Sequence, residues 1–258
     1  MNTVPYIAVS AFETEEQVSR VAEGLARQNW PRPQGHVPLL GFAVDRGTLE
    51  GRYPGSPRKV VDMETLNRLL AQVPVGAQAS LHFDFSSSGP DPRGALYALM
   101  EGIFDHTRLH SVQLNGAQSG DFEAVRDQLW DPSLGIIAPL QRDVVEAGQV
   151  ADFLEAVRGV ASHVLIDLSG GRGEFVTSTT LETLLPQIAA LKPEVGLAVA
   201  GGLSASNVRE VLHIARSLVP GRPLSVEAES SVRSGNSLDP EAALGFYTAS
   251  HEALLITN

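Results

Sequence analysis

Eight short runs of β-branched and aliphatic residues recur along the chain, with segments of helical spacing between them. The runs are YIAVSAF (6–12), LLGFAVD (39–45), ASLHFDF (79–85), HSVQLNG (110–116), GIIAPLQ (135–141), HVLIDLS (163–169), GLAVAGG (196–202) and PLSVEAE (223–229). Their length and residue types predict eight β-strands.

Apolar residues at positions i, i+3, i+4 and i+7 predict amphipathic helices between these strands. The segments are 15–28, 63–73, 92–107, 145–160, 181–191 and 204–219. Asp62 stands at the expected N-cap of the second helix, and Ser204 or Ser206 is suited to cap the last one. Strand and helix therefore alternate along the chain.

Eight strand–helix units in 258 residues correspond to about 32 residues per unit. That total matches the ~250 residues of a closed parallel (β/α)8 TIM barrel, so we expect one α/β domain over residues 1–258. A doubly wound open sheet is the alternative. The longest connection, residues 46–60, carries Arg46, Arg52, Arg58 and Lys59. A long loop after a barrel strand suggests a functional role.

Composition narrows the function classes. Hydrophobic residues make up 43% of the chain, no apolar run approaches the ~20 residues of a membrane span, and the N-terminus lacks the features of a signal peptide. We therefore expect a cytoplasmic protein, either monomer or homodimer. The net charge of −11 opposes binding to nucleic acid or anionic membranes, and the absence of cysteine excludes thiolate chemistry. A small molecule is the expected partner.

In a barrel, the residues that alternate inward near the strand C-termini form the ligand site. The inward set comprises Ser80, His82 and Asp84 on the third strand, Gln113 and Asn115 on the fourth, Leu165 and Asp167 on the sixth, and Glu227 and Glu229 on the eighth. His82 and Asp84 suit a general base with a neighbour that tunes its pKa, two metal ligands, or a polar network without catalytic function. His106, His110, His163, His213 and His251 are expected to lie away from the mouth.

Gly201 and Gly202 end the seventh strand just before a predicted helix. Barrel phosphate sites commonly lie after strands seven and eight, where glycines admit an anion to backbone N–H groups. Ser230 and Ser231, after the eighth strand, can complete the same site. A tight turn without a ligand is the alternative interpretation.

Five segments together resemble the phosphoribosylanthranilate isomerase family of tryptophan biosynthesis. They are Gly41-Phe42 with Ser56-Pro57-Arg58, VQLNG (112–116), LIDLSGGRGEF (165–175), AGGLSASNV (200–208) and VEAESSV (226–232). The resemblance implies a cofactor-free barrel that performs an Amadori rearrangement of a phosphoribosyl amine. It implies that Asp167 is the general acid and that Arg58 holds a carboxylate. By the same resemblance, Gly201, Gly202, Ser230 and Ser231 hold phosphate. The inward positions of Gln113, Asn115 and Glu227 make them candidate substrate contacts, and Gly171 and Gly173, in the glycine-rich turn after the sixth strand, are further candidates for phosphate binding.

The chain departs from that family at several places. The first strand carries Ser10 and no cysteine base, and a lone hydroxyl is too weak a base at neutral pH. Asp84 or His82 is then the expected base, with Ser10 a hydrogen-bond donor or spectator. Asn115, Glu174, Glu227 and Glu229 also replace family residues. A phosphate beside Glu229 requires that its carboxylate be paired, for example with Arg172 or Arg233.

Two other functions stay open. A diverged paralogue would act as an epimerase, aldolase or lyase on another sugar phosphate. The His82–Asp84 pair resembles metal-dependent ribulose-phosphate 3-epimerases, but Ala200 stands where that family has a further aspartate, so no metal is expected. The lack of a lysine at a predicted strand end argues against Schiff-base aldolases. A binding protein without catalysis is the third possibility.

Overall fold

The barrel predicted from the strand pattern is closed. The computed structural model describes residues 4–30, 35–52, 58–129, 131–169, 173–190 and 195–255. Eight parallel strands pair in sequence order: β1 (Tyr6–Val9), β2 (Val37–Val44), β3 (Gln78–Asp84), β4 (Leu109–Asn115), β5 (Gly135–Leu140), β6 (His163–Ile166), β7 (Gly196–Val199) and β8 (Leu224–Ala228). Ile7 pairs with Val226, which joins β1 to β8 and excludes the open sheet.

Helices separate the strands and surround the barrel. They are α1 (Glu15–Arg27), α2 (Arg46–Leu49), α3 (Met63–Ala71), α4 (Pro92–Glu101), α5 (Ser119–Gln128), α6 (Arg142–Glu146), α7 (Val150–Val157), α8 (Ser178–Ala189), α9 (Val208–Leu218) and α10 (Pro240–Leu255). The prediction that Asp62 caps the second predicted helix is confirmed, because its side chain accepts a hydrogen bond from Thr65 N. None of the described helices combines the length and hydropathy needed to span a bilayer.

Three predicted helices were too long. The segment 145–160 is two helices, since Gly148 adopts a φ of +70° between α6 and α7. The segment 92–107 ends its helix at Glu101, and a 3-10 turn covers His106–Arg108. The last predicted helix begins at Val208, so neither serine caps it, and Asn207 occupies the N-cap. Apolar spacing alone does not register such backbone breaks.

Successive side chains on a strand point to opposite faces of the barrel wall, so the buried residues form two layers. Outward residues such as Leu81 and Phe83 pack against the helices in the main core. A second cluster fills the barrel and contains Tyr6, Ala8, Leu39, Ile137, Leu165, Ala198 and Ala200. Polar inward residues occupy both ends of the barrel: Ser111 and His163 line a small cavity at the end opposite the mouth, whereas His82, Gln113 and Glu227 line the C-terminal mouth.

A short 3-10 helix follows β8. It spans Ser230–Val232 and leads into a small antiparallel ladder, β9 (Arg233–Ser234) with β10 (Ser237–Leu238). Helix α10 then packs against α1 and α9. Barrel enzymes often place a short extra helix at this point, beside the loops that bind a ligand.

Candidate active site

A cavity of about 520 Å³ opens at the C-terminal ends of the strands. It is lined by ten of the residues proposed from sequence: Arg58, His82, Asp84, Gln113, Asn115, Asp167, Gly201, Gly202, Glu227 and Ser230. Its other lining residues include Lys59, Gln118, Gln141, Asp143, Ser169 and Glu229. The predicted side-chain alternation therefore brings residues from four strands, β3, β4, β6 and β8, to one site.

The floor of the cavity holds a buried cluster of three side chains, the floor cluster of Ser10, His82 and Glu227. Ser10 Oγ donates a hydrogen bond of 2.8 Å to Glu227 Oε1, and His82 Nδ1 lies 3.7 Å from the same oxygen. Gly41 on β2 makes this contact possible. A Cβ at that position would come within 2.7 Å of the His82 ring and 2.9 Å of Ser10 Oγ.

Burial governs the charge of the floor cluster. Glu227 is 5% exposed, and desolvation raises the pKa of its carboxyl to about 8. The nearby carboxylates of Asp167 and Glu229 add to that rise, while Ser10 and Gln113 offset part of it. Burial lowers the pKa of His82 to about 3. At neutral pH the imidazole is therefore neutral, and the carboxyl is protonated in most molecules.

Asp84 lies in a different environment, at the rim of the cavity. It belongs to a second group of side chains, the rim cluster, which consists of Asp45, Lys59, Asp84 and Ser87. Lys59 Nζ lies 2.7 Å from Asp45 Oδ2, 2.9 Å from Asp84 Oδ2 and 2.7 Å from Ser87 Oγ. Hydrogen bonds from Ser86, Lys59 and Ser87 outweigh desolvation and lower the pKa of Asp84. An ion-paired carboxylate with a lowered pKa is a poor general base.

Lys59 is a mouth residue that the strand-end argument did not find. It reaches the cavity from the loop after β2 and not from a strand end, so the expectation that no predicted strand end carries a lysine is unaffected. The signal in the sequence was the basic cluster of loop 46–60. Its two carboxylate partners raise the pKa of Lys59 despite burial. The Lys59 ammonium group is protonated and makes three hydrogen bonds. A protonated amine does not form a Schiff base, so a Schiff-base aldolase mechanism is not expected for this lysine.

Asp167 lies just past the end of β6. Its Oδ1 accepts hydrogen bonds from Ser169 N at 3.0 Å and Ser169 Oγ at 2.7 Å. These contacts orient the carboxylate toward the cavity that both residues line. The residue proposed as the acid is thus present in the mouth and held by its own loop.

The Glu229 carboxylate is paired, and its ion-pair partner among the described residues is Arg58. Arg58 Nη1 lies 3.1 Å from Glu229 Oε1, whereas Arg233 bonds to Glu13 and to the carbonyl oxygen of Ala11. Arg172 lies outside the described residues. Burial raises the pKa of Glu229, and the Arg58 guanidinium opposes that rise. Arg58 therefore reaches the mouth already engaged with a carboxylate.

The two glycines after β7 are required by close backbone packing. Gly201 and Gly202 have φ values of +98° and +61°, and a Cβ on either would lie about 3 Å or less from the backbone of residues 173–175. Both glycines also line the cavity beside Ser230. Their geometry fits a tight turn as well as an anion site.

The remaining predicted phosphate residues are placed less favourably. Gly173 has a φ of +73° and packs against the Ser230 side chain. Ser231 Oγ donates to the carbonyl oxygen of Leu203, away from the cavity. Gly171 lies outside the described residues. Gly201, Gly202 and Ser230 are the described part of the proposed phosphate site that faces the mouth.

His82 and Asp84 have different partners in the structure. The imidazole contacts Glu227 and the carboxylate contacts Lys59, so the two side chains belong to different clusters. Within the described ranges, no group of three or more His, Asp or Glu side chains has the arrangement of a metal site. His110 and His163 lie at the opposite end of the barrel, as expected, around a small cavity with Tyr6.

Comparison with known proteins supports the fold alone. No protein-family model matches the chain, and no curated protein matches its sequence. Among solved structures, tryptophan synthase subunit alpha from Legionella pneumophila str. Paris is similar over 96% of this chain and 91% of that chain, with a TM-score of 0.61 and 10% identity. That subunit is a barrel enzyme, and at such identity the likeness concerns architecture.

Proposed function

We propose that this protein is a cytoplasmic, cofactor-free isomerase of a phosphorylated sugar derivative, with phosphoribosylanthranilate as the first substrate to test. The reaction is an aldose–ketose rearrangement of the Amadori type. The observation that carries the proposal is the meeting of Asp167 and Glu227 in one cavity, since the two carboxyl groups interact electrostatically across its floor. An isomerase of this type needs one group to donate a proton and another to accept one.

The rest of the mouth supports a phosphorylated ligand. Gly201, Gly202 and Ser230 lie at the position where many barrels bind phosphate, next to the 3-10 helix after β8. Gln113 and Asn115 stand on the opposite side, linked by a 3.1 Å hydrogen bond, and suit the hydroxyl groups of a sugar. A cavity of about 520 Å³ is large enough for such a molecule.

The test is turnover of freshly generated phosphoribosylanthranilate, followed by the loss of anthranilate fluorescence. We expect the wild type to convert the substrate and Asp167→Asn to fold normally but lose turnover. A matched control is Asp152→Asn on α7, which should keep the wild-type rate. If Asp167→Asn turns over substrate at the wild-type rate, the role of Asp167 is wrong.

A second candidate is isomerase or epimerase activity on a different sugar phosphate. The Arg58–Glu229 ion pair favours it, because the arginine that the resemblance assigns to a substrate carboxylate already has a carboxylate partner. Thermal-shift measurements with a panel of sugar phosphates distinguish the two. Stabilisation by compounds that lack a carboxylate, with no turnover of phosphoribosylanthranilate, would support this second function. Ligand binding without any product would instead indicate a binding protein.

A further inference from the structure

The floor cluster holds a carboxyl group, Glu227, whose inward position on the eighth strand predicts a substrate contact. Glu227 projects from β8 into the base of the cavity, beside β1, where Ala8 is its register partner. Family members have a cysteine base on β1, and this chain has Ser10 there instead. Ser10 donates to Glu227, so the chemically capable group in that corner is the glutamate.

One carboxyl oxygen of Glu227 is available to carry a proton. Its Oε1 accepts from Ser10, while its Oε2 is buried without a hydrogen-bond partner in the described part of the chain. A proton on Glu227 Oε2 turns this buried, unpartnered acceptor into a donor, whereas a bare carboxylate would leave Oε2 as an unsatisfied charged atom at a buried point.

Burial and the neighbouring carboxylates oppose ionisation of Glu227, and the Ser10 and Gln113 side chains offset only part of that effect. Ser10 and Tyr6 approach from β1, neutral His82 from β3, Gln113 from β4, Asp167 from beyond β6, Glu229 from beyond β8 and Tyr247 from α10. Two of these groups are carboxylates, and none of those seven is a lysine or arginine. The cations of the mouth are engaged elsewhere, Lys59 with Asp84 and Arg58 with Glu229.

We propose that Glu227 carries the transferable proton of the site and donates it to a substrate oxygen, while Asp167 is the carboxylate that accepts a proton from substrate carbon. This assignment rests on the proposed isomerase function and deepens it. It reverses the role that the resemblance gives Asp167. Two interacting carboxyl groups with different environments commonly divide acid and base roles in this way.

With a phosphorylated glycosylamine as substrate, these two proton transfers need no further reactant. The O–H bond of Glu227 breaks, its proton goes to the ring oxygen, and the electron pair of the C1–O bond goes to that oxygen. The nitrogen lone pair forms C1=N. Asp167 then takes the proton from C2, the C–H pair forms C1=C2, and the C=N pair returns to nitrogen. Transfer of the proton from Asp167 to Glu227, directly or through solvent, restores the enzyme.

The decisive experiment compares Glu227→Gln with the wild type and with Glu252→Gln, an exposed substitution on α10. We expect Glu227→Gln to lower kcat/KM by about 10²- to 10⁴-fold, the usual contribution of a general acid. Glu252→Gln should keep the wild-type value. In the wild type, kcat/KM should fall as the pH rises above about 8, because the acid loses its proton there. A rate that instead rises through pH 8 would overturn the assignment.

Infrared difference spectroscopy gives a readout independent of turnover. The wild type should show a protonated-carboxyl stretch at pH 6 that is missing in Glu227→Gln and fades in the wild type above pH 8. The same band in Glu227→Gln would overturn the proposal.

Turnover retained by Glu227→Gln overturns the acid assignment alone, whereas no turnover by the wild type on any phosphorylated sugar overturns the isomerase function and the catalytic role with it. The wild-type pH profile and spectrum remain decisive if the variant does not fold.

Discussion

The floor cluster and the rim cluster place carboxyl groups of similar chemistry in the same cavity with opposite outcomes. Glu227 in the floor cluster is buried, bonded to a hydroxyl and close to two other carboxylates, so its pKa is raised. Asp84 in the rim cluster is bonded to Lys59 and two serines, so its pKa is lowered. The neighbours of a carboxyl group, more than its residue type, decide whether it holds a proton at neutral pH.

This difference bears on which groups are free to react. The strand pattern alone predicts Asp84 as a candidate general base, because its side chain points into the mouth. Its ion pair with Lys59 makes it a structural link between the β2 loop and β3. The floor cluster has no such cation, and its carboxyl is the one suited to proton transfer.

The largest expected effect comes from removing the titratable carboxyl group of the floor cluster. The raised pKa of Glu227 means that its stabilising contribution is complete below the unfolded value near 4.5 and is lost as the pH rises through about 8. Glu227→Gln removes this dependence, so its stability relative to wild type should rise between pH 5 and 9 by on the order of 4 kcal/mol. Urea denaturation at several pH values measures it. A difference that stays constant with pH would contradict the proton on Glu227.

Breaking the rim cluster should cost less. Lys59→Met leaves Asp45 and Asp84 facing each other without their cation, which we expect to destabilise the fold by about 2 kcal/mol at pH 7. Both aspartates have lowered pKa values, so the ion pairs stabilise the protein above about pH 3.8 and lose that effect as the pH falls through the folded-state values.

The double variant Lys59→Met with Asp84→Asn should recover part of the loss, and Arg27→Met on α1 is the surface control. Equal stability of Lys59→Met and wild type at pH 7 would show that the rim cluster is not held by charge.

A smaller effect is expected at Gly41, which lets Ser10 and His82 approach Glu227. The added methyl group of Gly41→Ala meets the His82 ring and Ser10 Oγ, so we expect a loss of about 1 kcal/mol and a displaced imidazole. Gly120→Ala is the matched control, because a Cβ there meets nothing within 4 Å. Thermal denaturation and histidine NMR shifts measure both variants. An unchanged His82 resonance in Gly41→Ala would show that the contact across β2 is unimportant.

The barrel and many residues of its mouth follow from local patterns in the sequence. Strand alternation identified Asp84, Gln113, Asp167 and Glu227 as inward residues, because side chains on a strand change face at every residue and the outward set must be apolar to pack on helices. Local signals such as the Asp62 cap were equally readable. These features depend on residues that are near one another in the chain.

The pairing of side chains in the mouth depends on long-range contacts. Ser10 and Glu227 are 217 residues apart, and Arg58 and Glu229 are 171 apart, so no local pattern specifies either contact. The position of Lys59 between two aspartates depends on how the β2 loop folds over β3. Because a pKa is set by burial and by charges within a few ångströms, the opposite states of Glu227 and Asp84 follow from these long-range contacts and not from spacing along the chain.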